Sequence, residues 1–61
     1  MCESTAYYKT KDGLEKIMEN VIFCVPESDG VFLEDILGEQ VKAHGVLKEI
    51  KLLDHKIIIE R

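Results

Sequence analysis

The sequence has few of the features that hold small secreted or membrane proteins together. It contains two cysteines in 61 residues, which allow one disulfide at most, whereas secreted domains of this size normally carry more. No apolar run approaches the roughly 20 residues of a membrane helix, and no charged-then-apolar leader opens the chain. We therefore expect a cytoplasmic protein without membrane association.

Clustered positive charge is also missing from the sequence. Twelve acidic residues outnumber eight basic ones, for a formal net charge of −4, and the basic residues are spread along the whole chain. Proteins that bind nucleic acids normally show a clustered basic footprint, because neutralising phosphates supplies most of the affinity. The sequence therefore predicts no nucleic-acid partner. An acidic surface instead fits a cation or a basic protein partner.

Residue sets suited to catalysis are scarce. The two histidines, His44 and His55, both stand at predicted turns and lack the spacing of a zinc site. Asp35 and Glu39 could form a pair of carboxylates, but no nucleophile with an adjacent base accompanies them. Cys24 stands among apolar residues, where a free thiol usually acts as a small buried hydrophobe. We expect no enzymatic activity, and His44, His55 and Cys24 are only weaker candidates for metal ligands.

The sequence does offer a thiol beside its amino terminus. Met1 and Cys2 place an α-amine, a backbone amide and a thiol within one chelate ring. Reference pKa values of about 7.7–8.0 for the amine and about 8.5 for the thiol allow a metal to displace both protons near neutral pH. Thiolate and nitrogen donors suit Ni(II) or Cu(II), whereas Mg and Ca prefer oxygen. Cys2 with Met1 is the leading candidate for a metal site. The alternative is that Cys2 is merely the half-buried start of the first strand.

Turn signals separate short runs of β-forming residues throughout the chain. Residues 14–19 also fit a short helix by their apolar spacing, but Asn20 interrupts that run and strand-forming residues follow it, so we favour a strand that Pro26 ends. The sequence predicts a single all-β domain over residues 1–61, a small barrel or sandwich of about six strands. The predicted strands are residues 3–9, 14–25, 31–36, 40–43, 46–53 and 56–60.

Neither face of the last two predicted strands is cleanly polar. Residues 47–53 and 56–60 carry apolar side chains on both faces, and one small barrel can cover only one of them. A chain of this length is also marginal alone, since it buries only about 60% of its unfolded surface. We therefore predict a homodimer whose interface includes residues from Leu47 to Ile59, and a charge placed at Ile58 should weaken it. The alternative is a monomer with some exposed isoleucine.

Several short motifs together resemble the CooT family of small nickel-binding proteins. The resemblance spans essentially the whole chain and is carried by these residues: Met1 and Cys2 at the start, Leu33-x-Asp35-Ile36-Leu37-Gly38-Glu39, Gly45, Ile50-x-Leu52 and Ile57-x-Ile59-Glu60. Proteins of this family accompany nickel insertion into carbon monoxide dehydrogenase, and many relatives were first labelled predicted RNA-binding proteins. The resemblance implies a homodimer of small β-barrels similar to SH3 or Sm domains, with one Ni(II) per dimer bound at Cys2 and at Met1 or its terminal amine. It assigns no comparable role to His44, His55 or Cys24.

The residues and the resemblance agree on a non-enzymatic nickel-binding protein. We predict a metallochaperone or nickel store whose partners are a second copy of the chain and a nickel enzyme or its maturation factors. Two other functions stay open at this point. One is a small RNA-binding barrel, against which the acidic balance counts. The other is an acidic subunit that docks on a larger protein.

Overall fold

Six β-strands joined by turns make up the computed structural model, which describes residues 3–61. The strands are β1 (Ser4–Thr10), β2 (Gly13–Glu27), β3 (Gly30–Asp35), β4 (Gln40–Ala43), β5 (Val46–Lys51) and β6 (Lys56–Glu60). Residues 3–61 contain no helix that could cross a membrane. The predicted all-β fold and its number of strands are confirmed.

The six strands form one curled sheet, a half-barrel, in the order β4-β3-β2-β1-β6-β5. Neighbouring strands are antiparallel except β1 and β6, which are parallel. The curl brings β3 and β5, from opposite halves of the sheet, into contact across the concave side. The core fills this concave side and consists of Ala6, Met18, Val21, Val31, Leu33, Ala43, Ile57 and Ile59.

The long strand β2 bends at Asn20, and this bend lets one strand serve both halves of the sheet. Asn20 has a φ of 55°, in the left-handed region that asparagine tolerates better than most other residues. The part of β2 up to Val21 pairs with β1, and the part from Val21 onward pairs with β3. An irregularity between Val21 and Phe23 adds to the local twist. Residues 14–19 are therefore strand, and the helical alternative is wrong.

Two predicted strand ends are wrong. β2 continues through Pro26, which lies opposite Val31, instead of ending there. Among the described residues this half of β2 has a paired neighbour on one side only, so a residue without an N–H is tolerated. β5 ends at Lys51 and not at Leu53, because the turn into β6 occupies residues 52–55. The other predicted ends agree with the structure to within one residue.

The outer face of β6 is covered by its own chain. Ile58 is only 4% exposed, although it lies outside the concave core to which Ile57 and Ile59 belong. Our argument that a second copy is needed to cover Ile58 is therefore wrong, while the homodimer itself stays a prediction. Within residues 47–59 the exposed large apolar side chains are Ile50, Leu52 and Leu53.

Candidate metal centre

The start of β1 lies against the turn between β5 and β6. The backbone nitrogen of Thr5 donates a hydrogen bond to the carbonyl oxygen of His55, at 2.9 Å. Thr5 is also the partner of Lys56, the first residue of β6, in the parallel pairing. We name residues 3–5 and the turn 52–55 the amino-terminal corner. The predicted ligands Met1 and Cys2 lie outside the described residues, and the chain that carries them joins this corner through Glu3.

The turn at this corner exposes an imidazole and two large apolar side chains. His55 is exposed and has a φ of 54°, which the reversal of the chain into β6 requires. Leu52 is 81% exposed and Leu53 is 96% exposed. Exposed leucines at a turn beside a chain terminus leave apolar surface free for a partner. The corner therefore combines an exposed imidazole with exposed apolar surface.

His44 lies at the other end of β6. It precedes Gly45, whose backbone packs so closely on the end of β6 that an added Cβ would stand 2.6 Å from the carbonyl oxygen of Glu60. Glu60 ends β6, whereas His55 precedes its first residue. At about 3.3 Å per residue, the five residues from 55 to 60 separate these two ends of the strand by roughly 15 Å. The two histidines therefore do not converge on one site.

Cys24 packs against the concave core. It lies opposite Leu33 in the β2–β3 pairing and is partly buried. Burial raises the pKa of the Cys24 thiol, so the thiolate that a metal requires forms less readily. Within residues 3–61 no three histidine, cysteine, aspartate or glutamate side chains form a group that could hold a metal ion. Cys24 is thus partly buried against apolar side chains, and its place among the weaker candidates for metal ligands stays a prediction.

Asp35 holds the turn between β3 and β4 together. Its Oδ1 accepts hydrogen bonds from the backbone nitrogens of Leu37 and Glu39, each at 2.9 Å. Between them Gly38 has a φ of 86°, a conformation that glycine adopts without strain. Asp35 and Glu39 therefore meet through the backbone of a tight turn. The Asp35 carboxylate therefore has a structural role, because its Oδ1 accepts two backbone hydrogen bonds of the turn.

Strand pairing gathers lysines that are far apart in the sequence. Lys9 of β1 lines one groove on the outer face of the sheet with Lys48 and Lys51 of β5. Lys56 of β6 lies opposite Lys51, and Lys16 of β2 is on the same face by its register with β1. Five of the eight basic residues thus share one face. The expectation that positive charge does not cluster is wrong, because sequence spacing does not show which strands become neighbours.

Comparisons with known proteins agree on one family. A family model described as "CO dehydrogenase accessory protein CooT" matches residues 1–60. The chain belongs to the CooT family. This confirms the resemblance seen in the sequence, and it makes the protein a member of a family of accessory proteins for CO dehydrogenase.

A relative and a crystal structure support the CooT assignment. An uncharacterized protein of Methanothermobacter thermautotrophicus is 42% identical over 60 residues, which cover 98% of this chain and 89% of the relative. The crystal structure of a protein assigned as CooT from Carboxydothermus hydrogenoformans is 33% identical and superposes with a TM-score of 0.88. That match covers 98% of this chain and 97% of the other, so the CooT fold extends over the whole domain.

Proposed function

We propose that this CooT protein binds Ni(II) at its amino terminus and either stores the metal or delivers it to CO dehydrogenase. The observation that carries the proposal is the family match over residues 1–60, which includes Met1 and Cys2. An accessory protein for a nickel enzyme has an evident task in supplying the metal. Nickel is then the cargo of the protein and not a resident catalytic group, in agreement with our prediction that the chain is no enzyme.

The donor set at the terminus fits Ni(II). A thiolate is a soft, anionic ligand, and an amine or a deprotonated amide nitrogen beside it completes a small chelate ring. None of the three weaker candidates in the described chain, His44, His55 and Cys24, offers this combination. Cys24 has a raised pKa and lies against the core, and His44 stands at the far end of β6. Cys2 is therefore the residue on which the proposal depends.

A dimer would complete the coordination. One terminus supplies a thiolate and one or two nitrogens, whereas a square-planar Ni(II) site needs four donors. Two termini together can fill that plane, which would give one Ni(II) per dimer. The exposed Leu52 and Leu53 at the amino-terminal corner support association close to residues 3–5 of each chain. Because metal would bind the dimer better than the monomer, nickel should also stabilise the dimer.

Selection of nickel over copper would need help from outside the chain. By the Irving–Williams order, Cu(II) should bind the same thiolate and nitrogen donors more tightly than Ni(II). Metal availability in the cytoplasm, or transfer from a maturation partner, would then decide what the site carries. A cytoplasmic location is thus part of the proposal.

A nickel titration of the chain with its native amino terminus tests the proposal. We expect one Ni(II) per two chains, and an absorption band from thiolate-to-nickel charge transfer. Cys2→Ser should abolish tight binding, because a serine hydroxyl does not ionise near neutral pH and is a hard, weak ligand.

Cys24→Ser is the matched control, since it makes the same chemical change at the other cysteine. It should leave both the stoichiometry and the charge-transfer band unchanged. The proposal fails if Cys2→Ser still binds nickel tightly, above all if His44→Ala or His55→Ala then removes the binding.

A further inference from the structure

The outer face of β1, β6 and β5 is an island of positive charge on an acidic protein. Its groove has a volume of about 210 Å³ and is lined by Lys9, Leu14, Lys48, Glu49, Lys51 and Ile58. The chain as a whole carries a formal charge of −4. The lining residues of the groove therefore carry three positive charges and one negative charge, an excess that favours partners of negative charge.

The lysines of this groove are poorly compensated by the chain itself. Lys51 and Lys56 lie directly opposite each other across the β5–β6 pairing, an arrangement that like charges make unfavourable. Among residues 3–61, the lysines Lys9, Lys51 and Lys56 form no ion pair within 4.0 Å. Lys48 is 3.8 Å from Glu60, a contact near the limit for an ion pair. An anion bound from outside would reduce the repulsion between Lys51 and Lys56.

The floor and wall of the groove are apolar. Ile58 lies beneath the lysines and is almost fully buried, and Leu14 stands beside them with 44% of its surface exposed. The groove is smaller than the roughly 300–1,000 Å³ of a small-molecule site. It can therefore hold one apolar side chain of a larger partner, with anionic groups placed around it.

We infer that this groove, which we name the lysine groove, docks an acidic segment of a partner protein that carries an apolar side chain among its carboxylates. Carboxylates would contact Lys9, Lys51 and Lys56, and the apolar side chain would lie between Leu14 and Ile58. The inference does not depend on nickel binding, because the groove contains no proposed metal ligand.

The composition of the groove favours an acidic protein over a nucleic acid. Proteins that bind single strands stack bases on aromatic side chains or arginine, and the residues that line the groove include neither. Glu49 lies among the lysines and repels any anion beside it, so the groove suits a few separated carboxylates better than an unbroken run of phosphates. The net negative charge of the chain opposes a long polyanion further. Separate carboxylates around an apolar contact fit these residues better.

An NMR titration of isotope-labelled protein tests the inference. The probe is a synthetic peptide in which glutamates flank one leucine, and a second peptide replaces that leucine with serine. We expect the leucine peptide to shift the amide signals of β1, β5 and β6, and the serine peptide to bind more weakly. Lys51→Glu should weaken binding of the leucine peptide by about fivefold, since an exposed ion pair contributes up to ~1 kcal/mol and the new carboxylate repels the peptide.

Lys11→Glu is the matched control, because it reverses the same charge on an exposed lysine of the β1–β2 turn, outside the groove. It should change the affinity much less than Lys51→Glu, and Lys9→Glu repeats the test inside the groove if Lys51→Glu does not fold. Equal losses in Lys51→Glu and Lys11→Glu would overturn the inference. So would an oligouridylate that binds this face more tightly than the peptide, or a change of oligomeric state in the groove variants.

Discussion

The amide nitrogen of Thr5 donates a 2.9 Å hydrogen bond to the carbonyl oxygen of His55. This bond joins the beginning of the chain to the turn that precedes its last strand. Residues 3–5, the first that the structure describes, therefore lie against the turn that carries His55 and the exposed Leu52 and Leu53. The second histidine, His44, stands at the opposite end of β6, next to Gly45 and the end of that strand. The fold thus places His55 close to residues 3–5 and His44 far from them.

The contribution of each histidine to nickel binding can be measured directly. His55→Ala should lower the Ni(II) affinity by less than about tenfold. Replacing a residue that contacts the ligands, without itself binding the metal, typically lowers metal affinity by about 10- to 100-fold, and we expect His55 to fall below that range. His44→Ala is the control and should have no effect. Isothermal titration calorimetry of both variants gives the comparison. A loss of binding in His44→Ala would contradict a site at the amino-terminal corner.

Nickel affinity should rise with pH. The terminal amine and the Cys2 thiol must lose protons to bind the metal, and their reference pKa values are about 7.7–8.0 and about 8.5. Binding then releases protons, so the affinity increases as pH passes through this range. Titrations between about pH 6.5 and 9 in two buffers of different ionisation enthalpy measure the released protons. Affinity that is independent of pH would rule out these donors.

The free amine can be tested by extending the chain. An added segment before Met1 converts the terminal amine into an amide and should weaken nickel binding. The same segment added after Arg61 is the control and should leave binding unchanged. Equal affinities in the two extended proteins would show that the amine is not a ligand.

The predicted dimer can be tested at the amino-terminal corner. Leu53→Glu places a charge on a side chain that is 96% exposed in the single chain, so the fold should tolerate it. If Leu53 is buried between two copies, the dimer should weaken by at least about tenfold, because burying a leucine contributes about 1.5–3 kcal/mol. Val46→Glu is the control, since Val46 is 70% exposed and begins β5 at the other end of the strand. Sedimentation equilibrium that finds the same association in both variants would place the interface elsewhere. Ile58 is unsuitable for this test because its own chain buries it.

Gly45→Ala should destabilise the fold more than Gly13→Ala. Both glycines have positive φ angles, 148° for Gly45 and 127° for Gly13, so alanine is strained at either position. An added Cβ at Gly45 would also stand 2.6 Å from the Glu60 carbonyl oxygen, whereas nothing lies within 4 Å at Gly13. We expect a loss of about 1 kcal/mol at Gly13, from strain alone, and about 3 kcal/mol or more at Gly45. Urea unfolding followed by circular dichroism measures the difference, and equal losses would contradict the close packing of Gly45 on β6.

Asp35→Ala should destabilise the turn between β3 and β4. The change removes the acceptor of two backbone hydrogen bonds, from Leu37 and Glu39, and should cost about 2 kcal/mol. Asp35→Asn keeps a carbonyl oxygen at the same place and should cost less. Thermal unfolding of the two variants checks the order. If Asp35→Asn is as unstable as Asp35→Ala, the carboxylate charge matters and not its hydrogen bonds.

Much of the local structure could be read from the sequence, because local patterns determine it. Alternation and turn residues predicted all six strands, and most of their ends agree to within one residue. The predicted end of β2 at Pro26 was wrong. A strand tolerates proline where no neighbouring strand accepts a hydrogen bond from that position, and only the arrangement of strands in the sheet shows where this is so. Met1 and Cys2 as candidate ligands also come from sequence alone, since a thiol next to an α-amine can form a chelate ring whatever the fold.

Tertiary structure alone decided which distant residues meet. The parallel pairing of β1 with β6 joins the start of the chain to His55 and separates it from His44, and no local pattern encodes that choice. The same pairing gathers Lys9 and Lys51 on one face, although the sequence scatters its positive charge. Side-chain alternation tells which residues of one strand share a face. The order of strands in the sheet depends on burying all the apolar faces at once, so only the folded chain shows which faces become continuous.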